Sequence, residues 1–403
     1  EIGVRLVGSE MCIRDRPGSS RIDVADVLRG FAVMGIIVLH SVEHYNFYSY
    51  PETTASWMQF TDKVIWEAMF FTFGGKAYAI FALLFGFSFF IQDNRQLQQG
   101  RDFRGRFAWR LVLLFLFGNI NAAFFTGEIL VLYSIIGFVL IGVCRLSTRV
   151  VLGLAIICML QPLAWWEFFS ALVHPGQEIG QNLSNYYFGI AFEAQQGTSF
   201  WEMLKVNLWE GQLASLTWAW EHGRMFQTAA LFMLGMLIGR TGLFLYTEQN
   251  LKFWFKALLI GIVAFFPLNG LGNLLPQFVE SQAAWVPLKL IIQSLANLGF
   301  MVFMVSGIIL LFYTTALKKW MSKIIPYGRM SLTDYITQSI VGSCLFYGWG
   351  IALHRYLGIT WSFGMGILLF GLQYCFACWW MKTHKQGPFE GWWKKATWIG
   401  YKN

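Results

Sequence analysis

Long apolar runs alternate with short polar, mostly basic connectors along nearly the whole chain. Runs near twenty residues cross a bilayer as helices that satisfy their own backbone hydrogen bonds. The pattern predicts ten such spans, at 24–43, 64–91, 107–125, 127–144, 150–170, 226–243, 253–274, 285–313, 331–353 and 361–381. The second is over-long and contains Gly74-Gly75-Lys76, which predicts a kink or a split there. Two five-helix halves, 21–170 and 226–403, flank a segment at 171–225 with acidic residues, Trp201, Trp209, Trp218 and Trp220, and no clean span. One or two amphipathic helices lying in the interface are expected for it, as a lid over an outer-facing site or as a brace.

Composition agrees with the pattern. Of 403 residues, 56% are hydrophobic, 18% aromatic and only 13% charged, and the mean hydropathy is +0.50. The fold class is an all-α integral membrane protein, with the lipid bilayer as its first partner. Residues 1–20 stand apart: EIGVRLVGSEMCIRDR has no apolar core and resembles translated sequencing adapter, so the protein proper is expected from near Ser19–Ile22. Placing the N-terminus in the cytoplasm collects nearly all Lys and Arg on the inner side, from Arg21 and the Arg95–Arg110 cluster to Lys394, Lys395 and Lys402. Outside or near the outer ends fall Lys63, Lys205, Arg224 and Arg355. The positive-inside rule therefore puts both termini in the cytoplasm. The formal +8 follows from that asymmetry. It points to anionic inner-leaflet lipids and not to nucleic acid. Cys144, Cys158, Cys344, Cys375 and Cys378 fall in or near spans, where thiols pack helix interfaces and no disulfide framework is implied.

The first span carries the densest candidate chemistry. Arg29 and His40 are eleven residues apart, roughly 1100° of helical rotation and about 16 Å of rise, so they share a stripe without touching. His40, Glu43 and His44 sit at i, i+3 and i+4 and form one cluster. Ionisable groups in a membrane helix are a functional signal by default. Arg29 suits a bidentate phosphate clamp, or it anchors the inner end of the helix against Asp26. A buried imidazole suits a general base oriented by Glu43, or a core hydrogen bond. His40-Ser-Val-Glu43-His44 also spells H-x-x-E-H, the ligand order of one class of zinc hydrolases. Glu67 and Glu128 are the only candidates for a further ligand, and no metal is assigned. Elsewhere, Lys76 shares a face with Glu67, while Asn119, Asn121 and Glu128 cluster around one helical hairpin. Asp334, Gln338 and Gln373 mark the last two spans, and Arg224 with His222 sits where the central segment re-enters the membrane. Of these, Lys76, Asn121, Glu128, Arg224 and Asp334 join Arg29 as candidate substrate-binding residues. No Walker A loop, dinucleotide fingerprint or haem signature is present.

Four segments in order resemble the YeiB-like membrane proteins, a family defined as a domain of unknown function (DUF418). They are Asp26-Val-Leu-Arg29-Gly30, then Gly75-Lys76 through Gly86, then Gly118-Asn-Ile-Asn121 with Gly127-Glu128 through Tyr133, and finally Gly328-Arg329 through Tyr335 followed by Gly387-Pro388-Phe-Glu390. Asn121 stands where such chains usually carry His, Glu128 where they carry Asp, and Asp334 where they carry Asn. The family is grouped by resemblance with membrane acyltransferases, whose first helix spaces Arg and His as Arg29 and His40 are spaced here. That resemblance implies a multi-pass protein of the bacterial cytoplasmic (inner) membrane. It also implies transfer of an acyl group from a cytoplasmic acyl-CoA-type co-substrate to a glycan or lipid acceptor. The residues leave two rivals open: a multi-pass transporter of a small solute, and a zinc-dependent membrane hydrolase using His40, Glu43 and His44.

Overall fold

The computed structural model describes residues 22–51, 55–174, 180 and 182–400. The segment 1–20 set apart above, with Arg21 and Lys402, lies outside the described residues. Every regular element among the described residues is helical.

Helix α1 (Asp23–Val42) opens with Asp23 and Asp26 in its first turn, where carboxylates suit the positive helix end, and closes at Glu43. It is the axis of the molecule. Its most apolar window is 83% buried, against 22% for α13 (Glu248–Phe278) and for α18 (Ile359–Trp380), so α1 faces protein while those two face outward. Helices α2 (Ser56–Thr72) and α3 (Ala77–Leu97) are the over-long span, broken where Gly75 turns through φ 71°. Lys76 Nζ closes the end of α2 by donating to the carbonyls of Phe70 at 3.2 Å and Phe71 at 2.9 Å.

Helices α4 (Arg104–Ala122), α5 (Leu130–Ile136), α6 (Phe138–Val143), α7 (Thr148–Met159) and α8 (Pro162–Val173) complete the first half. A 44° bend separates α7 from α8. The expected interfacial segment holds three helices, α9 (Leu183–Gln196), α10 (Phe200–Val206) and α11 (Gln212–Glu221), with a π-helical turn at Asn207–Gly211 and with Trp201, Trp209 and Trp220 exposed. Helix α12 (Arg224–Thr241) then packs on α3 at backbone contact. A Cβ on Gly86 would fall 1.9 Å from the Phe232 carbonyl oxygen, and one on Gly235 1.8 Å from that of Leu83. Small residues let membrane helices approach in this way. The hairpin of α13 and α14 (Gln282–Thr314) is followed by the short α15 (Lys318–Met321) and α16 (Ile325–Gly328), then α17 (Ser331–Phe346), α18 and α19 (Pro388–Thr397).

Helices occupy all ten expected intervals, yet the count of ten membrane spans is not carried over. Among the described residues five helices are long and apolar enough to cross a membrane, or six if α7 and α8 form one bent span. The reasons are local. Helix α4 begins with three arginines, α12 has one at each end, α5 and α6 part at Gly137, and α17 has only 16 residues.

Candidate functional site

Arg29 and His40 share the α1 stripe, but their surroundings differ completely. Arg29 donates to Asp26 Oδ1 and to Ser88 Oγ, each at 2.6 Å. Asp26 also accepts from Arg329 Nε at 3.2 Å, and Arg329 reaches Asp23 at 3.6 Å. A Cβ on Gly328 would lie 1.9 Å from the Asp26 carbonyl oxygen, so the turn before α17 rests directly on α1. The Asp26–Gly30 and Gly328–Arg329 signatures are thus two sides of one contact. Glu390, 58 residues away from Leu332, caps α17 from a distance: Oε1 accepts the N–H groups of Leu332 at 2.7 Å and Thr333 at 3.1 Å, and Oε2 accepts the Thr333 hydroxyl at 2.6 Å. Burial pushes the Glu390 carboxyl above its ordinary value.

This contact forms one wall of a cavity of about 1070 Å³. Seven basic residues line it, Arg29, Arg95, Arg101, Arg110, Arg329, Lys385 and Lys394, against two carboxylates, Asp26 and Glu390. Its other end is apolar, closed by Phe81, Phe85, Leu114, Leu130 and Tyr133. Ile22 and Trp398 both line it, so the two described ends of the chain meet at this end of the bundle. Arg110 stacks on Trp393 with its guanidinium carbon 3.9 Å from the ring centroid, which pins α19 against α4.

At the far end of α1, ligand-capable atoms of His40, Glu43 and His44 lie within 4.8 Å of one another. Glu43 Oε1 sits 2.8 Å from His44 Nδ1, an ion-pair contact outside hydrogen-bond geometry, which sets the carboxylate beside His44. His40 Nδ1 is sealed from solvent without a hydrogen-bond partner. Phe125 lies 4.5 Å from the His40 ring and 5.3 Å from that of His44. Phe47 and Tyr48 both adopt left-handed backbone, at φ 56° and 55°, which costs about 1–3 kcal/mol each. That turn brings the Tyr48 hydroxyl to 3.4 Å from Glu43 Oε2. Burial, with help from Glu43, raises the Tyr48 and Tyr50 phenols, which stay protonated as donors. Both tyrosines border a cleft of about 390 Å³ with Asp62, Lys63, Trp66 and Glu67. Glu67 pairs with Lys63 at 4.0 Å and is no neighbour of Lys76.

Residues 123–130 separate cavity from cluster. Phe125 packs at a tilt against both histidines, a Cβ on Gly127 would lie 3.1 Å from His44 Nε2, and Leu130 already lines the cavity. Glu128 is turned inward, accepting from Asn121 Nδ2 and the Leu130 N–H, and so is not a further ligand of the histidine cluster. Helices α9 to α11 roof this loop: Asn207 Nδ2 donates to the Ala123 carbonyl at 3.0 Å and Gln195 Nε2 to Thr126 Oγ1 at 3.3 Å. Asp334 is buried one turn into α17, where its Oδ2 has no partner and its carbonyl accepts from Gln373 at 2.9 Å. Lys76, which is buried, and Arg224, which is partly buried, form a separate pair of neighbouring cations. Reasoning from the sequence placed Arg110 only in the inner basic cluster and missed Phe125 and Tyr48, which nothing but their type marked.

Residues 238–400 match the family model described as "Protein of unknown function (DUF418)". The chain is similar to the uncharacterized protein YxaH of Bacillus subtilis, 26% identical over 95% of this chain and 96% of that one. It is similar to the uncharacterized protein YeiB of Escherichia coli at 26% identity, over 92% of this chain and 95% of that one. An uncharacterized 39.9 kDa protein from Bacillus acidopullulyticus is 23% identical over 94% of each.

Proposed function

We propose, from the premise that this chain is a YeiB-like protein of the DUF418 family, that it is a membrane-embedded acyltransferase. On this reading an anionic acyl-CoA-type donor enters from the cytoplasm, and a glycan or lipid acceptor meets it at the opposite face of a bacterial inner membrane. One observation carries the reading: a large cavity, basic at its mouth and apolar at its base, ends three residues of chain from a Glu–His pair. Phosphates of the donor suit the arginines at the mouth, and its apolar arm suits Phe81, Phe85 and Tyr133 at the base.

The residues supply a base. A carboxylate beside Nδ1 favours the tautomer in which His44 Nε2 is the basic nitrogen, and Nε2 faces the 127–130 loop. His44 accepts the acceptor's proton as that oxygen or nitrogen attacks the thioester carbonyl. The carbon–sulfur bond breaks and the departing thiolate takes up a proton. The cleft beside Tyr48 and Trp66 offers the acceptor a path to Glu43 and His44. The positive rim of the cavity supports a cytoplasmic placement of that end under the positive-inside rule.

The test uses purified protein in detergent, with acyl-CoA consumption and acyl-CoA binding measured side by side. Turnover is expected to fall about 10²-fold or more in His44→Ala, with donor binding within twofold of wild type. Absence of both binding and turnover with every acceptor tried would falsify the reading. A second reading, movement of a small solute, draws on helix breaks at 73–76 and near Gln161 and Gly223. Solute uptake by proteoliposomes without acyl-CoA distinguishes it.

A further inference from the structure

Lys76 and Arg224 are two cations that lie outside the donor cavity. Lys76 is only 7% exposed. Its ammonium group contacts two carbonyls and lies 5.2 Å from the Phe300 ring centroid. Arg224 lies over the rings of Tyr78, at 4.7 Å, and Trp218, at 5.4 Å. It donates to Tyr78 Oη at 2.8 Å and Gln227 Oε1 at 2.7 Å, while its Nε is buried without a partner. The two cations are neighbours, because a Cβ on Gly75 would lie 2.9 Å from Arg224 Nη2.

No carboxylate reaches either cation at ion-pair distance among the described residues. Glu221, three residues before Arg224, turns instead to the Ser184 hydroxyl at 2.5 Å. Two helix N-termini add to the positive field: the N-caps of α3 and α12 are Lys76 and Gly223, and neither has a side-chain cap. Asn297 faces the same point. It is 6% exposed, its Nδ2 lies 3.5 Å from where a Gly75 Cβ would be, and its Oδ1 has no partner. Burying the Lys76 ammonium beside a second, partly buried cation without a counter-charge costs several kcal/mol. The geometry points to an oxyanion-binding site between the α2–α3 and α11–α12 breaks, where Lys76, Arg224 and Asn297 hold a carboxylate or a phosphate. The same chemistry reaches it as a free anion or as the headgroup phosphate of an anionic lipid.

Thermal unfolding of the full chain tests this in phosphatidylcholine nanodiscs, titrated with inorganic phosphate or acetate, and separately in phosphatidylglycerol nanodiscs without added anion. A saturable rise in melting temperature with the free anions, or a raised melting temperature in phosphatidylglycerol, is expected, and the arm that responds identifies the source. Asn297→Asp supplies an internal carboxylate. It should raise the melting temperature in the anion-free lipid and weaken the anion response at least tenfold, while Arg224→Gln abolishes that response. No response in either arm overturns the site. So does an anion response that survives unchanged in Asn297→Asp while the melting temperature falls, a result that stands even if Arg224→Gln does not fold.

Discussion

The two ends of α1 carry the same kind of residue, ionisable groups on an apolar helix, and treat them in opposite ways. At the Arg29 end the charges are paired among themselves, Arg29 to Asp26 and Asp26 to Arg329, yet they border an open cavity rimmed by more arginines. At the His44 end the groups are packed under Phe125 and roofed by α9 to α11, and His40 Nδ1 has no partner at all. Paired charges beside solvent-filled space suit the capture of a charged ligand. His44, beside Glu43 in an aromatic pocket, suits proton transfer, since a low dielectric magnifies each polar contact. Under the proposed acyl transfer, binding and chemistry fall at opposite ends of one helix, with the 123–130 loop between them.

The strongest challenge to that division is steric. Gly328→Ala drives a methyl group into the Asp26 carbonyl and is expected to destabilise the protein by about 3 kcal/mol. The matching change Gly142→Ala, with nothing within 4 Å, should be neutral in the same denaturation series. Next in size, Arg110→Ala removes a cavity-lining guanidinium and its stack on Trp393. Donor affinity should drop roughly tenfold, or about 1.4 kcal/mol, with a shallower salt dependence read by titration calorimetry. Equal loss of turnover per bound donor would erase the distinction between the ends.

Tyr48→Phe probes the other end. Losing one hydrogen bond to Glu43 should cost about 1 kcal/mol in turnover, roughly fivefold, and leave the donor's dissociation constant unchanged. The smallest effect is on pH. Burial raises the Glu390 carboxyl above its ordinary 4.5, so protonation favours the folded contact. Its stabilising contribution is complete below that ordinary value and is lost as pH rises through the raised one. Hydrogen exchange in the first turn of α17, corrected for intrinsic rates, should quicken over that interval in wild type and stay flat in Glu390→Gln.

Much of the candidate site was legible because helices are periodic. The eleven-residue spacing of Arg29 and His40 sets their common stripe, and Gly74-Gly75 marks a break that the backbone makes at φ 71°. The break near Gln161 was marked only by Pro162, which opens α8, while the left-handed backbone of Gln161 itself, at φ 58°, answers to tertiary constraint. The partner of Glu43 was equally hidden. An ideal helix sets Glu43 beside both histidines, but the chain departs from helical geometry at Glu43, with φ −108° and ψ −68°, and delivers the carboxylate to His44. The count of ten spans goes beyond the five or six membrane-capable helices among the described residues, because hydropathy runs do not register the interruption at Gly137 or the arginines that open α4.

By itself, the sequence determined the all-helical class, the apolar helices able to cross a membrane, the basic end of the bundle, and the polar stripe of α1. These follow from composition and period, which are local. Only the tertiary structure decided that Arg29 borders a cavity, that Gly127 lies under His44, and that Lys76 meets Arg224 across 148 residues of chain. Those pairings depend on which helix backbones can touch, and that is settled by glycines at contacts such as Gly86 with Phe232, far from the residues they bring together.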